Sequence, residues 1–274
     1  MKYYRLAPLC GALLLAAVSC GCSKLKARDQ LNKGVVAFRN AQFQPAIMYF
    51  KNAVALDPTM LNARLYLATA IAQQYIPGGD SPDNIKIADQ AIEAFQDVLK
   101  MDPGNITAIA SIAQVYYNMK KFDKAKEFQQ RRLKLEPTNP EPYYWIGVLD
   151  WAICYPRTQL LRRDLKIDTP KDPKQPDVLP PFPKKALADL SDQNGSLVEE
   201  GINALMKAIE LKPNDSDSMV YLNLMYRQKA EIETDAVARE ADVRTANDWM
   251  EKALIAKKGG AVAVGASPTS PAGQ

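Results

Sequence analysis

A residue pattern that returns about every 34 positions limits what this chain can fold into more than any other feature of it. Ala125 and Phe128 lead into Lys134-Leu135-Glu136-Pro137. Ala91 and Phe95 lead into Lys100-Met101-Asp102-Pro103, and Ala46 and Phe50 into Ala55-Leu56-Asp57-Pro58. Pro103 and Pro137 stand 34 residues apart. A period of that length marks one helix pair per unit. A single pair cannot bury its own apolar face, so the units must stack.

Each pair carries small residues where two helices cross closely. Gly34, Ala68, Ala113 and Gly147 hold that place in the first helices. Ala46, Ala91, Ala125, Gly201 and Ala246 hold it in the second. In the fifth unit Asn223 stands where a small residue belongs. The third unit is the most regular, with Ile112-Ala113, Tyr116-Tyr117, Phe122, Ala125, Leu133 and Pro137 in register. Gln129 and Arg132 depart from the pattern.

These residues resemble the tetratricopeptide repeat. The resemblance implies an all-α fold, a right-handed superhelical α-solenoid of about five helix pairs. The pairs fall at about 27–60, 61–105, 106–139, 140–215 and 216–256.

Spacing shows where the chain is enlarged. The two small residues of a pair stand 12 apart in repeats one and three, 23 apart in repeats two and five, and 54 apart in repeat four. Every excess lies inside a pair, on turns that line one edge of a stacked array. An excess of 11 is about three helical turns and keeps the apolar stripe facing the same way. Repeats two and five therefore read as lengthened helices. In repeat two the turn is Tyr75-Ile76-Pro77-Gly78-Gly79-Asp80, with Ser81 as N-cap and Pro82 opening the next helix. In repeat four, residues 153–196 hold seven prolines and a run of basic residues. That density predicts extended segments and a partner-contacting flap or a solvated loop, with a short helix from Lys184 to Leu190.

The N-terminus reads as a secretory signal. Lys2 and Arg5 precede an apolar stretch from Leu6 to Val18, too short for a stable anchor. Ala17-Val18-Ser19-Cys20 resembles the bacterial lipobox, with Ala where Leu is usual. That resemblance implies cleavage after residue 19, a lipid on Cys20, a short tether over 20–27 and a place on the periplasmic face of a membrane. Gly21 after the lipidated cysteine favours the outer membrane. Cys22 is a poorer candidate, and the alternatives are an ordinary signal-peptidase site with release of a soluble protein, or a cytoplasmic protein. Residues 257–274, nearly free of charge, read as a disordered tail.

Composition narrows the function. The chain has no histidine, which removes the commonest general base and metal ligand. No cysteine spacing suggests a metal site, and no nucleotide loop appears. Cys154 beside Tyr155 reads as a buried structural thiol. A net charge of +4, partly carried by the signal, gives no support for nucleic-acid binding. The expectation is a non-catalytic scaffold without cofactor or metal. Its partner is a protein or peptide.

In the family the first helices line a concave groove. By register that groove presents Phe38, Tyr66, Tyr117, Tyr144, Trp145, Val148, Trp151, Tyr221 and Arg227. The basic residues with which one subset of the family grips a C-terminal carboxylate are missing. The groove reads instead as aromatic and weakly polar, suited to apolar side chains of a peptide or a helix.

Overall fold

The computed structural model describes the backbone of residues 7–170 and 179–265, and the side chains of residues 23–170 and 179–258. The described residues form ten α-helices and no strand. They run α1 (Ala7–Arg39), α2 (Phe43–Leu56), α3 (Leu61–Ala72), α4 (Pro82–Met101) and α5 (Ile106–Asn118). Then follow α6 (Phe122–Leu135), α7 (Pro140–Asp164), α8 (Lys184–Leu211), α9 (Ser216–Ile232) and α10 (Ala236–Gly265). Taken two at a time they are the five helix pairs.

The helix ends follow from local chemistry. α2, α4 and α8 stop just before Asp57-Pro58, Asp102-Pro103 and Lys212-Pro213, since a residue ahead of proline is pushed out of the helical region. Ser81 caps α4, its side chain accepting from the Asn84 amide, and Pro82 opens the helix. Asn105 and Asn139 cap α5 and α7 in the same way. Each such cap contributes about 1 kcal/mol. Ala41, Lys120 and Lys166 take positive φ to turn the chain after α1, α5 and α7. In each case the next amide bonds back into the helix, as Ile167 N–H does to the Arg162 carbonyl at 2.9 Å.

The chain forms two compact units, Met1–Lys121 and Phe122–Gln274. In the first, α2 packs on α1 and α3, α4 packs on α3 and α5, and α3 touches both α1 and α5. The first helices thus make one layer and the second helices another. A core of Ala37, Ala46, Ile47, Phe50 and Ala70 joins the first three helices. In the second unit α7 packs on α6, α8 and α9, and α9 packs on α8 and α10. Its core is Cys154, Val198, Ile202, Leu205, Leu222 and Met225.

All nine small residues at the crossing positions are buried. The reason is contact distance. A methyl group on Gly34 would collide with the Phe50 ring, and one on Gly147 with the Leu205 side chain. Fully burying a side chain such as Phe50 or Leu205 is worth about 1.5–3 kcal/mol. The glycine is what lets the partner helix come close enough to bury it.

The structure corrects four sequence expectations. Residues 153–164 and 184–196, placed inside the proline-rich insertion, belong to α7 and α8, so the connection shrinks to residues 165–183. α7 continues through Pro156, whose ring lies on the exposed face of the helix. The helix expected over Lys184 to Leu190 is the start of α8; Leu187 and Leu190 are buried against Phe182, so the helix has a core to rest on. Residues 20–27, read as a tether, are helical backbone within α1. The tail expected from residue 257 is instead the last part of α10 as far as Gly265. Residues 266–274, the side chains of the signal segment and Cys20 lie outside the described residues.

Candidate functional site

In the second unit the sequence-predicted aromatics meet. Tyr144, Trp151 and Tyr155 lie seven and four residues apart on α7, hence on one helix face. Tyr221 of α9 fits between the first two, 5.7 Å from Tyr144 and 5.7 Å from Trp151, edge to face with both. Trp145 meets Tyr144 at 5.5 Å, and Tyr155 stacks on Trp151 at 4.9 Å. The result is an unbroken row of five rings: Trp145, Tyr144, Tyr221, Trp151, Tyr155. Aromatic pairs in these geometries gain about 0.5–1.5 kcal/mol beyond their buried area. The lower sides of Tyr144, Trp151 and Tyr221 pack on the core around Cys154 and Met225. Tyr155 remains 40% exposed.

Beside Trp145 lies a cleft of about 230 Å³ between the first turn of α7 and the start of α9. Glu141, Lys212, Asp215 and Asp217 line it with Tyr144 and Trp145. Glu141 takes a hydrogen bond from Arg132 at 2.5 Å and another from Trp145. The Arg132 bond does most to hold its carboxyl below the usual range. The Trp145 indole is therefore fixed by Glu141 on one side and Tyr144 on the other.

Val148, expected in the groove, is 1% exposed. Helical spacing puts it on the same face of α7 as Tyr144 and Trp151, four and three residues away, but its short side chain is covered by packing while the longer rings reach the row. Arg227 reaches across to α10, donating to Asn247 at 2.8 Å and to Asn223 at 3.4 Å.

α6, α7 and α8 share a largely buried ionic group. Lys126 Nζ of α6 donates to Asp150 of α7 at 2.6 Å and to Glu200 of α8 at 2.8 Å. Asp150 is fully buried, and its Oδ2 has no partner. Burial, working against the pull of Lys126, pushes the Asp150 carboxyl up to about 7. Burial also opposes the charge on Lys126, yet the two carboxylates hold its pKa above the ordinary lysine value. Glu200, 40% exposed at its side chain, thus completes the buried Lys126–Asp150 pair from the solvent side. Burial raises the Cys154 thiol to about 12, the opposite of what a nucleophile needs. Among the described residues no group of three or more potential ligands could hold a metal ion.

The connection between α7 and α8 is anchored at Arg162, which is 3% exposed. Its guanidinium pairs with Glu231 of α9 and lies 4.4 Å over the Phe182 ring. Its Nη1 donates to the carbonyls of Ile167 at 3.2 Å and Pro180 at 3.0 Å. Phe182, Leu187 and Leu190 form a small core there, joined by Leu161, Ile167 and Ile232.

In the first unit the predicted groove residues are more scattered. Phe38 packs edge-on to Phe43 at 5.6 Å, and Tyr66, 39% exposed, stacks on Phe50 at 5.5 Å. Both lean on α2. Tyr117 is half-buried on α5. A cleft of about 320 Å³ opens between α3 and α5, with Thr69, Gln114 and Asn118 in its wall.

Sequence reasoning missed Tyr155, the Lys126 group and Arg162. Tyr155 carried a signal, since it continues the helical spacing of Tyr144 and Trp151. The other two did not, because their charged partners lie on other helices, 24 and 74 residues from Lys126 and 69 from Arg162.

The tetratricopeptide repeat family model matches residues 88–146. Among curated proteins, the chain is 24% identical over 183 residues to interferon-induced protein with tetratricopeptide repeats 2 of Cricetulus griseus. That alignment covers 67% of this chain and 31% of that protein. It is 25% identical over 179 residues to mitochondrial import receptor subunit TOM70 of Homo sapiens, covering 64% of this chain and 27% of the relative. The chain thus spans about a third of the length of these relatives. Among solved structures, a crystal structure of MamA protein aligns with a TM-score of 0.55 at 15% identity, over 90% of this chain and 98% of that one. MamA from Desulfovibrio magneticus RS-1 aligns with a TM-score of 0.55 at 17% identity, over 85% and 96%. At such identities the likeness is one of fold.

Proposed function

We propose that this tetratricopeptide-repeat protein is a non-catalytic interaction scaffold that holds a peptide or helix against the aromatic row of α7 and α9, and that a lipid on Cys20 keeps it at a bacterial envelope membrane. The row carries the binding half of the reading. Five contiguous rings on first helices offer rigid apolar surface at low cost in side-chain entropy. The hydrogen-bonding rim of Glu141, Lys212, Asp215 and Asp217 lies beside it and fixes orientation. The raised Cys154 thiol and the buried, paired Asp150 fit a structural role for the titratable groups nearby. Ala17-Val18-Ser19-Cys20 supports the anchor.

Crosslinking in envelope extracts, followed by recovery of the full chain, tests the site. Trp151 packs on the core, so Trp145→Ala and Tyr155→Ala are the variants to use, with helicity checked by circular dichroism. Both are expected to lose the same partner. Unchanged recovery in both would remove the row from the interaction. Metabolic labelling with palmitate tests the anchor. Label is expected in the wild type and absent in Cys20→Ala, and an unlabelled wild type would favour a soluble secreted adaptor.

A further inference from the structure

The outward face of α1 is basic and apolar together. On a helix of 3.6 residues per turn, Leu25, Asn32 and Val36 fall within about 40° of one another. They lie opposite Ala27, Gly34 and Ala37, which are buried where α1 packs on its neighbours. Leu25 is 70% exposed and Val36 59%. Arg28 and Arg39 flank this line on one side, and Lys26 and Lys33 on the other, all four exposed. α1 has one carboxylate, Asp29, which pairs with Lys33 at 2.7 Å. Asp57, just past the end of α2, lies close enough to Lys24 and Arg28 to feel their charge.

The positive charge is concentrated here. Over residues 23–64, seven Lys and Arg stand against two Asp. From residue 65 on the balance reverses, with 26 Lys and Arg against 29 Asp and Glu. A helix that ends a stacked array ordinarily turns a polar face outward. Here two large apolar side chains stand about three turns apart along the middle of a basic one.

Three occupants could cover such a face. A second copy would bring like charges together around Leu25 and Val36, which opposes pairing. A nucleic acid would pair with the cations but offers nothing to the apolar side chains between them. An anionic bilayer takes both: the cations meet lipid phosphates, and the apolar line enters the boundary between headgroups and acyl chains.

We propose that α1 lies along an anionic phospholipid surface, with Leu25 and Val36 dipped into the interface and Lys26, Arg28, Lys33 and Arg39 on the headgroup phosphates. The proposal rests on the envelope reading for the presence of the membrane, and it adds an orientation. Cys20 stands five residues before Leu25 on the same helix. A lipid there supplies attachment, and the face of α1 fixes how the first unit lies.

The test uses the full chain with Cys20→Ala, which carries no lipid at that position, and sedimentation with vesicles. One set is phosphatidylcholine alone, and the other is phosphatidylcholine and phosphatidylglycerol in equal parts. Binding is expected to be about ten-fold or more tighter on the mixed vesicles, and to fall as salt rises from about 0.05 to about 0.5 M. The triple variant Lys26→Gln, Arg28→Gln, Lys33→Gln is expected to lose about ten-fold or more on mixed vesicles. Leu25→Ser with Val36→Ser is expected to lose about three-fold or more. The triple variant Lys184→Gln, Lys185→Gln, Lys257→Gln, an equal charge change elsewhere, is expected to lose less than about two-fold. The stretch before Cys20 is present in every sample and cancels. Equal binding to both vesicle sets, equal loss in the two triples, or no loss in the serine pair would each overturn the proposal. So would tighter binding to duplex DNA than to mixed vesicles, lost in the first triple. Vesicle binding without palmitate label on the wild type would remove the anchor and leave this face in place. Label without vesicle binding would do the reverse.

Discussion

Asn223 of α9 donates its side-chain amide to the backbone carbonyl of Ala246 in α10 at 2.6 Å. Other pairs put a small residue here and gain contact. The fifth pair has an amide and gains a hydrogen bond, with Asn223 only 1% exposed. Asn223→Ala is expected to lower the stability of the second unit by about 1 kcal/mol. Asn223→Leu, which forces the helices apart, is expected to cost about 1–3 kcal/mol. All three tryptophans (Trp145, Trp151 and Trp249) lie in this unit, so denaturant titration followed by tryptophan fluorescence reads it alone.

Two glycines should respond in opposite senses to the same change. Gly147→Ala drives a methyl group into Leu205, itself fully buried, and is expected to destabilise by about 1–3 kcal/mol. Gly195, inside α8, has only Ser191 Oγ near the added methyl, at 4.0 Å. Gly195→Ala is expected to stabilise by about 0.5–1 kcal/mol through helix propensity. Melting temperatures of the two variants against wild type check both signs.

The repeat was legible because close helix crossing tolerates few residue types, and that constraint leaves Gly and Ala at fixed spacings. Prolines after α2, α4 and α8 and the Ser81 cap are local signals of the same kind. What stayed hidden depends on distant residues. Arg162 followed by Arg163 reads as a solvated basic run until Glu231, Phe182 and two carbonyls are brought to it. Pro156 reads as a helix breaker until α7 turns it to solvent. Val148 and Trp151 look alike as apolar groove candidates on one face of α7, and only tertiary packing buries the short side chain while the longer ring joins the row.

Breaking the Arg162 cluster should have a local signature. Arg162→Met leaves Glu231 partly buried without its partner and two carbonyls without a donor. A loss of about 3–5 kcal/mol is expected. Limited proteolysis should then cut first between residues 165 and 183, well before the rest of the unit. Arg162→Lys is expected to rescue little, because an ammonium cannot reproduce the planar fork or its stacking on Phe182.

Asp150 predicts a slope of stability with pH. Its folded pKa, about 7, lies above the ordinary carboxylate value, so the native state binds the proton more tightly than the unfolded chain does. This group's contribution is greatest at low pH and is lost as pH rises through about 7. The slope is up to about 1.4 kcal/mol per pH unit. Lys126, Glu200 and Asp123 face the same group, and Lys126 stays charged across this range. Glu141 and Asp215 have lowered pKa values, so their contributions are lost only as pH falls below the ordinary carboxylate range. Denaturation midpoints from about pH 5 to about pH 8 are expected to fall in wild type and to stay nearly flat in Asp150→Asn.

Arg162 Nη1 holds the carbonyls of Ile167 and Pro180 at once. Both feet of the connection are thereby pinned to one guanidinium, which closes a ring through its two described ends. The entropy of closing such a ring grows only with the logarithm of its length, about 0.6 kcal/mol for each doubling. Residues could be added or removed between those feet with almost no effect on the helices. The position is a ready port for grafting new recognition segments, by selection or by design, onto a frame that stays the same.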